Sequence, residues 1–536
     1  MSFFERPDFR LIESAGPTPL GAAVGALKRH AVALALCGAA LAGAYASNVA
    51  LGLHETAATR GSIVAKGLIE PVTIVRDRRD IPHISAQNDR DLFFAEGYAQ
   101  GSDRLFQLDL TRRYAYGRLA EVLGAKALAM DEAQRAVDID AIASRQLQAL
   151  APRDRAAVDA FSDGVNAAAA TQPLPVEFRI LLYHPAPWTP RDSLAVSVVA
   201  SLELADSWHD VFARDEVWRR RGPRCFDMLF PLSDARYDVA IDGAAQRTAA
   251  HLPHRDCGGW SVAMRLTSPT FGSNAWAAGA VRTESGHALI ANDPHLDLTI
   301  PGIWYLAEMR SPRVHVAGAT IPGIPGIVLG HNERLAWAST NAEMATTSVF
   351  RAGRLRPNAW QLERFHIRFA RDASAAYYRT PREFSVANDN DASAIALVRW
   401  PIYAETRSTI ATVLALNRAR AVGEALKILA AYPGSPQNFI LADRHGEVAY
   451  HVAGLVPDDP AWGRYVHPAR DLRAAFPPLT FAQLPGRVPS RNAVLVSANN
   501  KPYGGQYPFQ LSAHFEPPYR AYRIGELLHS RNRYDT

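Results

Sequence analysis

Gly272-Ser273 is the pair in this chain whose residue types could do covalent chemistry unaided. If the bond between them breaks, Ser273 carries a hydroxyl nucleophile and a free α-amine in one residue. An α-amine titrates near ~8, so it can accept the hydroxyl proton at neutral pH with no separate base. This is the N-terminal-nucleophile route to activating a weak hydroxyl. Gly272 serves the same end. Without a Cβ the backbone can bend until Ser273 Oγ reaches the preceding carbonyl. Attack there, an N-to-O shift and hydrolysis of the resulting ester would expose the amine. By itself Gly-Ser-Asn is a common turn tripeptide, so the surrounding chain has to carry the assignment.

The elements around the pair are those such chemistry needs. Alternation through Trp276–Ala280 predicts a strand, Thr283-Glu284-Ser285-Gly286 a turn, and His287–Ala291 a returning strand. Upstream, residues 68–77 read as a strand, Asp89–Leu110 as a helix, and residues 130–220 as mostly helical, punctuated by Pro173, Pro175, Pro185 and Pro187. Residues 221–272 lose periodicity. From Ser273 the chain is β-rich, with strands expected over Val314–Thr320, Gly326–Leu329, Leu335–Thr340 and Val494–Ala498. A hairpin is expected around Arg444-His445-Gly446, a short helix over Glu424–Ala431, and an α/β insertion over 350–400. Helices first and strands after them make the fold class α+β.

At 536 residues the chain can bury large cores and exceeds one typical domain. Its net charge of +5 is dispersed. The densest basic cluster, Arg219-Arg220-Arg221 with Arg224, reads as a solvated helix end, and no aromatic-basic interleaving marks a nucleic-acid surface. The three cysteines, Cys37, Cys225 and Cys257, show no zinc spacing; a Cys225–Cys257 bridge and two free thiols are equally compatible with the sequence. Lys28-Arg29-His30 precedes an apolar run, 31–53, that fits a secretory signal and is long enough to span a bilayer. The expected location is the periplasm or cell envelope, with the run a cleaved signal or a retained anchor. His83 has no partners at ligand spacing and reads as structural. No organic cofactor is implied.

Four ordered motifs now matter together: GSNAWAAG from Gly272, NDPHL from Asn292, GIVLGHNERLAWASTN from Gly326 to Asn341, and VSANN from Val496 to Asn500. In this order and spacing the chain resembles the penicillin acylase family of N-terminal-nucleophile hydrolases, including its acyl-homoserine-lactone and cephalosporin acylase branches. The resemblance runs from near Val72 to the last residues. It implies an αββα sandwich with a helical small-subunit region, made as one chain and cut before Ser273. It implies that His295 orients the nucleophile's α-amine. One oxyanion donor would be the backbone N–H of Asn341, with Ala342 beside it. The Asn499 side chain would be the second, with Asn500 as second choice. Arg523 matches a family arginine bonded near that asparagine, and Arg520 competes for the assignment. The GHN turn, His331 and Asn332, is structural in the family. Trp276 is expected against substrate and Trp337 in a pocket or the core.

After the 1–55 tail and apolar segment, the resemblance implies a small-subunit region over 56–240, an excised spacer over 241–272 whose end at Gly272 is marked and whose start is not, and a large-subunit region over 273–536. Family members continue further, so the C-terminus reads as truncated. A structural calcium of the family would draw on two Asp at positions held here by Ala345 and Ser348, which predicts an absent or weakened site. The expected activity is hydrolysis of linear amides, on penicillin- or cephalosporin-like or N-acyl-homoserine-lactone-like substrates, with His295 tilting the expectation toward aliphatic acyl groups. The partners expected are that small molecule, the two subunits of the chain itself, and a membrane through 31–53. The competing readings are an envelope-anchored binding homologue that never matures, and a metallohydrolase using His83 and His295.

Overall fold

The structure is a computed structural model that describes residues 20–205, 208–230, 272–388, 391–504 and 506–535. It divides into two units, one of them residues 1–56 with 173–183. In that unit the helix Leu20–His54 meets the short helix Val176–Ile180. Tyr45 Oη donates to Ile180 O at 3.1 Å, and Arg179 bonds Asn48 at 3.1 Å and pairs with Glu55. Ala33–His54 is long and apolar enough to cross a membrane, and none of its most apolar window is buried.

In the second unit the helix Asp89–Ala115 lies against the helix Pro152–Thr171. Asn88 caps the first, its side chain accepting from Asp91 N–H at 2.9 Å. Two glycines set the approach of the pair. A Cβ on Gly97 would sit 2.0 Å from Phe161 O, and one on Gly164 would sit 1.9 Å from Phe94 O. Each helix therefore presses its backbone into the other where no side chain fits.

The β region forms a nine-stranded sheet in the order Thr73–Arg76, Pro82–Ser85, Tyr305–Arg310, His315–Thr320, Leu329–Asn332, Leu335–Asn341, Gln437–Asp443, Val448–Ala453, Gly486–Ser490. Pro82–Ser85 and Tyr305–Arg310 pair in parallel. A three-stranded sheet, with Gly272–Ala278 between Val494–Ser497 and Leu289–His295, packs face to face on the larger one. The interface is built from small residues of the serine strand, Ala275 and Ala277, against Ala338, Ile440 and Val452. Every residue of Gln437–Asp443 is buried, because one of its faces meets this sheet and the helix Val422–Leu429 lies on it as well. The helix Tyr519–His529 packs on Val494–Ser497 and the serine strand. The order of layers is thus helix, sheet, sheet, helix, the αββα sandwich.

Three readings of local structure change. Residues 350–400 hold the strands Trp360–Phe365, Ala373–Tyr378, Glu383–Asn388 and Asp391–Arg399 with short 3₁₀ turns, and no α-helix among the described residues. The strand expected at Gly326–Leu329 begins instead at Leu329, because Gly326, at φ +86°, closes the preceding loop. The closing helix Tyr519–His529 was not foreseen. The spacer placed at 241–272 lies outside the described residues except for Gly272. Cys37 is free and Cys225 is disulfide-bonded; Cys257 lies outside the described residues.

Candidate active site

Ser273 is the second residue of the central strand of the small sheet, 8 % exposed. Alternation along that strand divides the neighbourhood in two. Ser273, Ala275 and Ala277 face the large sheet; Gly272, Asn274 and Trp276 face the other way. Register extends the division across the ladder: Gly272 pairs with His295, Ser273 with Pro294, Asn274 with Asp293. His295 therefore belongs to the face opposite the Ser273 hydroxyl.

On the hydroxyl face stands Asn499. Its Oδ1 accepts from Ser273 N–H at 2.7 Å and its Nδ2 donates to Ser273 Oγ at 3.1 Å. Nδ2 also donates to Asn341 O at 2.9 Å. Asn499 is fully buried with φ +63°, a left-handed backbone that asparagine tolerates better than most residues. Asn500 does different work: its Oδ1 accepts from Ala498 N–H at 3.1 Å and fixes the turn. Behind Asn341 lies a buried chain of polar groups. Asn438 Nδ2 donates to Asn341 O and to Thr340 Oγ1, both at 3.1 Å, Thr340 Oγ1 is 2.7 Å from Ser497 Oγ, and Tyr450 Oη donates to Asn438 Oδ1 at 2.6 Å. This network holds the Asn341 carbonyl rigid. The Ala342 N–H is already given to Pro436 O at 3.1 Å.

On the opposite face, Asp293 and His295 sit two apart on one strand with Asn274 across from Asp293. His295 Nε2 lies 2.8 Å from Asp293 Oδ2, and Asn274 Nδ2 donates to the same oxygen at 2.9 Å. Nε2 also lies 3.1 Å from Asn274 Nδ2; when its proton is given to the Asp293 carboxylate, Nδ1 is the acceptor. Nδ1 faces Gly272: a Cβ there would lie 3.2 Å from it, and 2.9 Å from Arg520 Nη2.

Arg520, from the first turn of the closing helix, ties the two faces together. Its Nη1 donates to Ser273 O and to Asn274 Oδ1, both at 2.7 Å, and its Nη2 donates to Asn499 Oδ1 at 3.0 Å. Burial pulls its pKa below the usual guanidinium value, against the opposing pull of Glu516, 3.8 Å away, Asp293 and Glu343. The same burial raises the Glu516 carboxyl, with Arg520 acting against it.

Of the residues singled out in the sequence, the structure brings together Gly272, Ser273, Asn499 and the Asn341 carbonyl, with His295 behind the strand. It does not bring Arg523, whose side chain is exposed and pairs with Glu526 at 3.0 Å; Arg520 holds that position. Trp276 is half-buried on the strand face away from the hydroxyl. Trp337 is core, its Nε1 on Val328 O at 2.9 Å, and the Asn332 side chain closes the GHN turn by accepting from Arg334 and Leu335 N–H. His83 pairs with Glu308 on the adjacent strand, four strands across the large sheet from Leu335–Asn341, on which the His295 strand packs; that is roughly 19 Å at ~4.8 Å per strand, so His83 shares no site with His295. Ala345 offers no side-chain oxygen, and Ser348 Oγ donates to Asp459 at 2.5 Å; among the described residues there is no group of three or more His, Cys, Asp or Glu that could hold a metal ion. Asn292, Asp293 and Asn274 carry contacts that sequence reasoning gave no role. Asn292 clamps the two sheets, with Nδ2 on Asn274 O at 2.8 Å and on Ser339 O at 3.1 Å. Period-2 spacing of Asp293 and His295 was the available signal.

A family model described as penicillin amidase matches residues 71–536. The chain belongs to the penicillin amidase family. Among relatives in this family, it is 29 % identical over 497 residues to a penicillin acylase 2 proenzyme of Pseudomonas sp. (strain SE83), covering 87 % of this chain and 63 % of the relative. It is 28 % identical over 521 residues to the acyl-homoserine lactone acylase QuiP of Pseudomonas aeruginosa, covering 89 % and 60 %. The chain thus spans roughly three fifths of the length of these penicillin amidase relatives. Among solved structures, a penicillin G acylase from Alcaligenes faecalis aligns over 49 % of this chain and 50 % of its own, at 19 % identity and a TM-score of 0.43.

Proposed function

We propose that this chain is the catalytic part of an exported amidohydrolase that cuts its own Gly272–Ser273 bond and then hydrolyses linear acyl amides through an acyl-Ser273 intermediate. The observation that carries the reading is the double contact of Asn499 with Ser273, at its N–H and at its Oγ. After cleavage that N–H becomes an amine, and Asn499 Oδ1 already stands where it would orient it.

The placement of His295 supports an N-terminal nucleophile over a serine–histidine dyad. The imidazole is on the wrong face of the strand to take a proton from Oγ. It stands beside the backbone at Gly272, so its role is to accept a hydrogen bond from the freed amine through Nδ1 and orient it toward the hydroxyl. The α-amine then receives the hydroxyl proton and returns it to the leaving amine. Asn499 Nδ2 stabilises the oxyanion together with a backbone donor at Asn341. Such a donor contributes ~10²–10³ in rate.

The substrates of this reading are acyl amides of the penicillin and acyl-homoserine-lactone kinds, after the relatives' names. The apolar helix Ala33–His54 supports export, as a signal or an anchor. Intact-mass analysis of the purified full chain tests the reading: two fragments are expected, one beginning at Ser273, and only the uncut chain from Ser273→Ala. Wild-type protein that stays in one piece yet hydrolyses amides would overturn it.

A further inference from the structure

At the far end of the large sheet from Ser273 lies an open cleft of about 1280 Å³. Arg334 borders it at the turn entering Leu335–Asn341, so the cleft and the Asn341 carbonyl stand at opposite ends of one strand, about 20 Å apart at ~3.3 Å per residue. Six arginines line it: Arg153, Arg310, Arg313, Arg334, Arg418 and Arg420. They come from four separate places in the chain, brought together by the turn at Glu333, the loop before Val314, the start of the helix Pro152–Thr171 and the link between two helices at 417–421.

Three of these cations are matched and three are not. Arg153 and Arg313 share Asp89, at 3.4 and 3.3 Å, and Arg418 meets Asp154 at 3.4 Å. Among the described residues, no carboxylate lies within 4.0 Å of the guanidinium of Arg310, Arg334 or Arg420. Two acids stand on the cleft wall: Glu333 bonds His315 at 3.1 Å, with Arg310 and Arg334 also stabilising its carboxylate from beyond ion-pair distance, and Glu424 accepts from Arg420 N–H at 2.8 Å. Burial and the nearby charge of Arg153 hold Arg418 below the usual guanidinium value, as expected where like charges converge around water. The scaffold is fixed by Asn332, whose Nδ2 donates to Asn417 O and Ala419 O and so binds the turn bearing Arg334 to the link bearing Arg418 and Arg420.

We propose that this cleft is a binding site for a ligand carrying two or more clustered phosphoryl groups. Guanidinium is the side chain whose planar fork engages phosphate oxygens two at a time. Three guanidinium groups without an ion pair carry more positive charge than one phosphate neutralises, and the open cleft is far larger than a single ion needs. A free diphosphate and a lipid headgroup bearing two neighbouring phosphates share this chemistry. Nothing in the acylase reaction uses the cleft, so the site stands or falls separately from Ser273.

Calorimetric titration of the full chain with pyrophosphate tests it, against Arg334→Gln/Arg420→Gln, two exposed positions whose replacement leaves the core intact. Saturable binding with one pyrophosphate per chain is expected, weakened at least tenfold in the double variant and falling with added salt. Heats that never saturate, or equal binding by both proteins, would overturn the proposal. Vesicles of phosphatidylcholine doped with phosphatidylinositol 4,5-bisphosphate separate the sources. Binding to them that is displaced by pyrophosphate and lost in the double variant assigns the headgroup; binding that neither affects, alongside saturable pyrophosphate binding, assigns the free anion.

Discussion

Asn499 holds Ser273 at two atoms through one amide, Oδ1 on the N–H at 2.7 Å and Nδ2 on Oγ at 3.1 Å. The same residue supplies a left-handed turn at φ +63°. These two duties can be separated. Asn499→Gly keeps the backbone conformation and removes the amide, so its thermal stability should stay within a few degrees of wild type while hydrolysis falls ~10²–10³-fold. Asn499→Ala should lose the same activity and a further ~1 kcal/mol from backbone strain. Steady-state rates and melting curves of the two variants check this; full activity in Asn499→Gly would remove the amide from the mechanism.

Arg520 and Arg523 differ by one helical turn and should differ entirely in consequence. Arg520→Gln removes donors from Ser273 O, Asn274 and Asn499, and should slow self-cleavage at least tenfold. Arg523→Gln removes one exposed ion pair of the kind typically worth under ~1 kcal/mol, and should mature normally. Fragment yield over time on gels reads both.

Gly272 is needed for room. Its φ is not in the left-handed region, but an added Cβ would fall 2.9 Å from Arg520 Nη2 and 3.2 Å from His295 Nδ1. Gly272→Ala should fold and cleave slowly, and Gly272→Val should not cleave. Equal cleavage rates for glycine and valine would contradict the crowding.

His295 acts from behind the strand, so it should matter less than a general base. His295→Gln, which keeps an acceptor, should lose under ~100-fold in kcat, short of the 10²–10⁴ that removing a general base costs. Asp293→Asn should give a loss of similar size, and the double variant should lose little more than either one. Multiplied effects in the double variant would argue that the two act separately.

Glu96 gives the fold a pH dependence. It is fully buried beneath the loop at 322–326, its oxygens accepting from Gly326 N–H at 3.0 Å, and burial raises its pKa from 4.5 to about 8. The folded state therefore holds a proton that the unfolded chain releases near pH 4.5. This contribution is fully present below that pH, is lost as pH rises toward 8, and is flat above it. Glu96→Gln should flatten the melting temperature across that window, while an unchanged slope would assign it to other groups.

The serine strand and its partner were legible because period-2 alternation and the ordered motifs agree there. Asn499 was separable from Asn500 by position in the motif, and the structure gives the reason: one amide reaches the serine and the other closes the turn. Arg520 was not legible. The helix Tyr519–His529 went unrecognised, although Pro517-Pro518 before Tyr519 is a fair start signal, and without the helix two arginines three residues apart look equivalent. Within the α/β insertion expected over 350–400 the individual strands could not be placed, for a different reason. Trp360–Phe365 is mostly exposed, so it shows no apolar face to read. Asp293 was visible as a residue but not as a partner, since its meaning comes from Asn274 across the ladder.

The parallel pairing of Pro82–Ser85 with Tyr305–Arg310 joins segments on either side of Gly272. Asp103 with Tyr305 Oη at 2.7 Å, and Gln100 with Gly323 N–H at 2.9 Å, do the same. Severing the bond before Ser273 would then yield two polypeptides interwoven through a common hydrogen-bonded ladder. They should travel as one particle in native gel filtration and come apart only in denaturant, and neither piece made alone should be able to complete the other's sheet from solution at a useful rate.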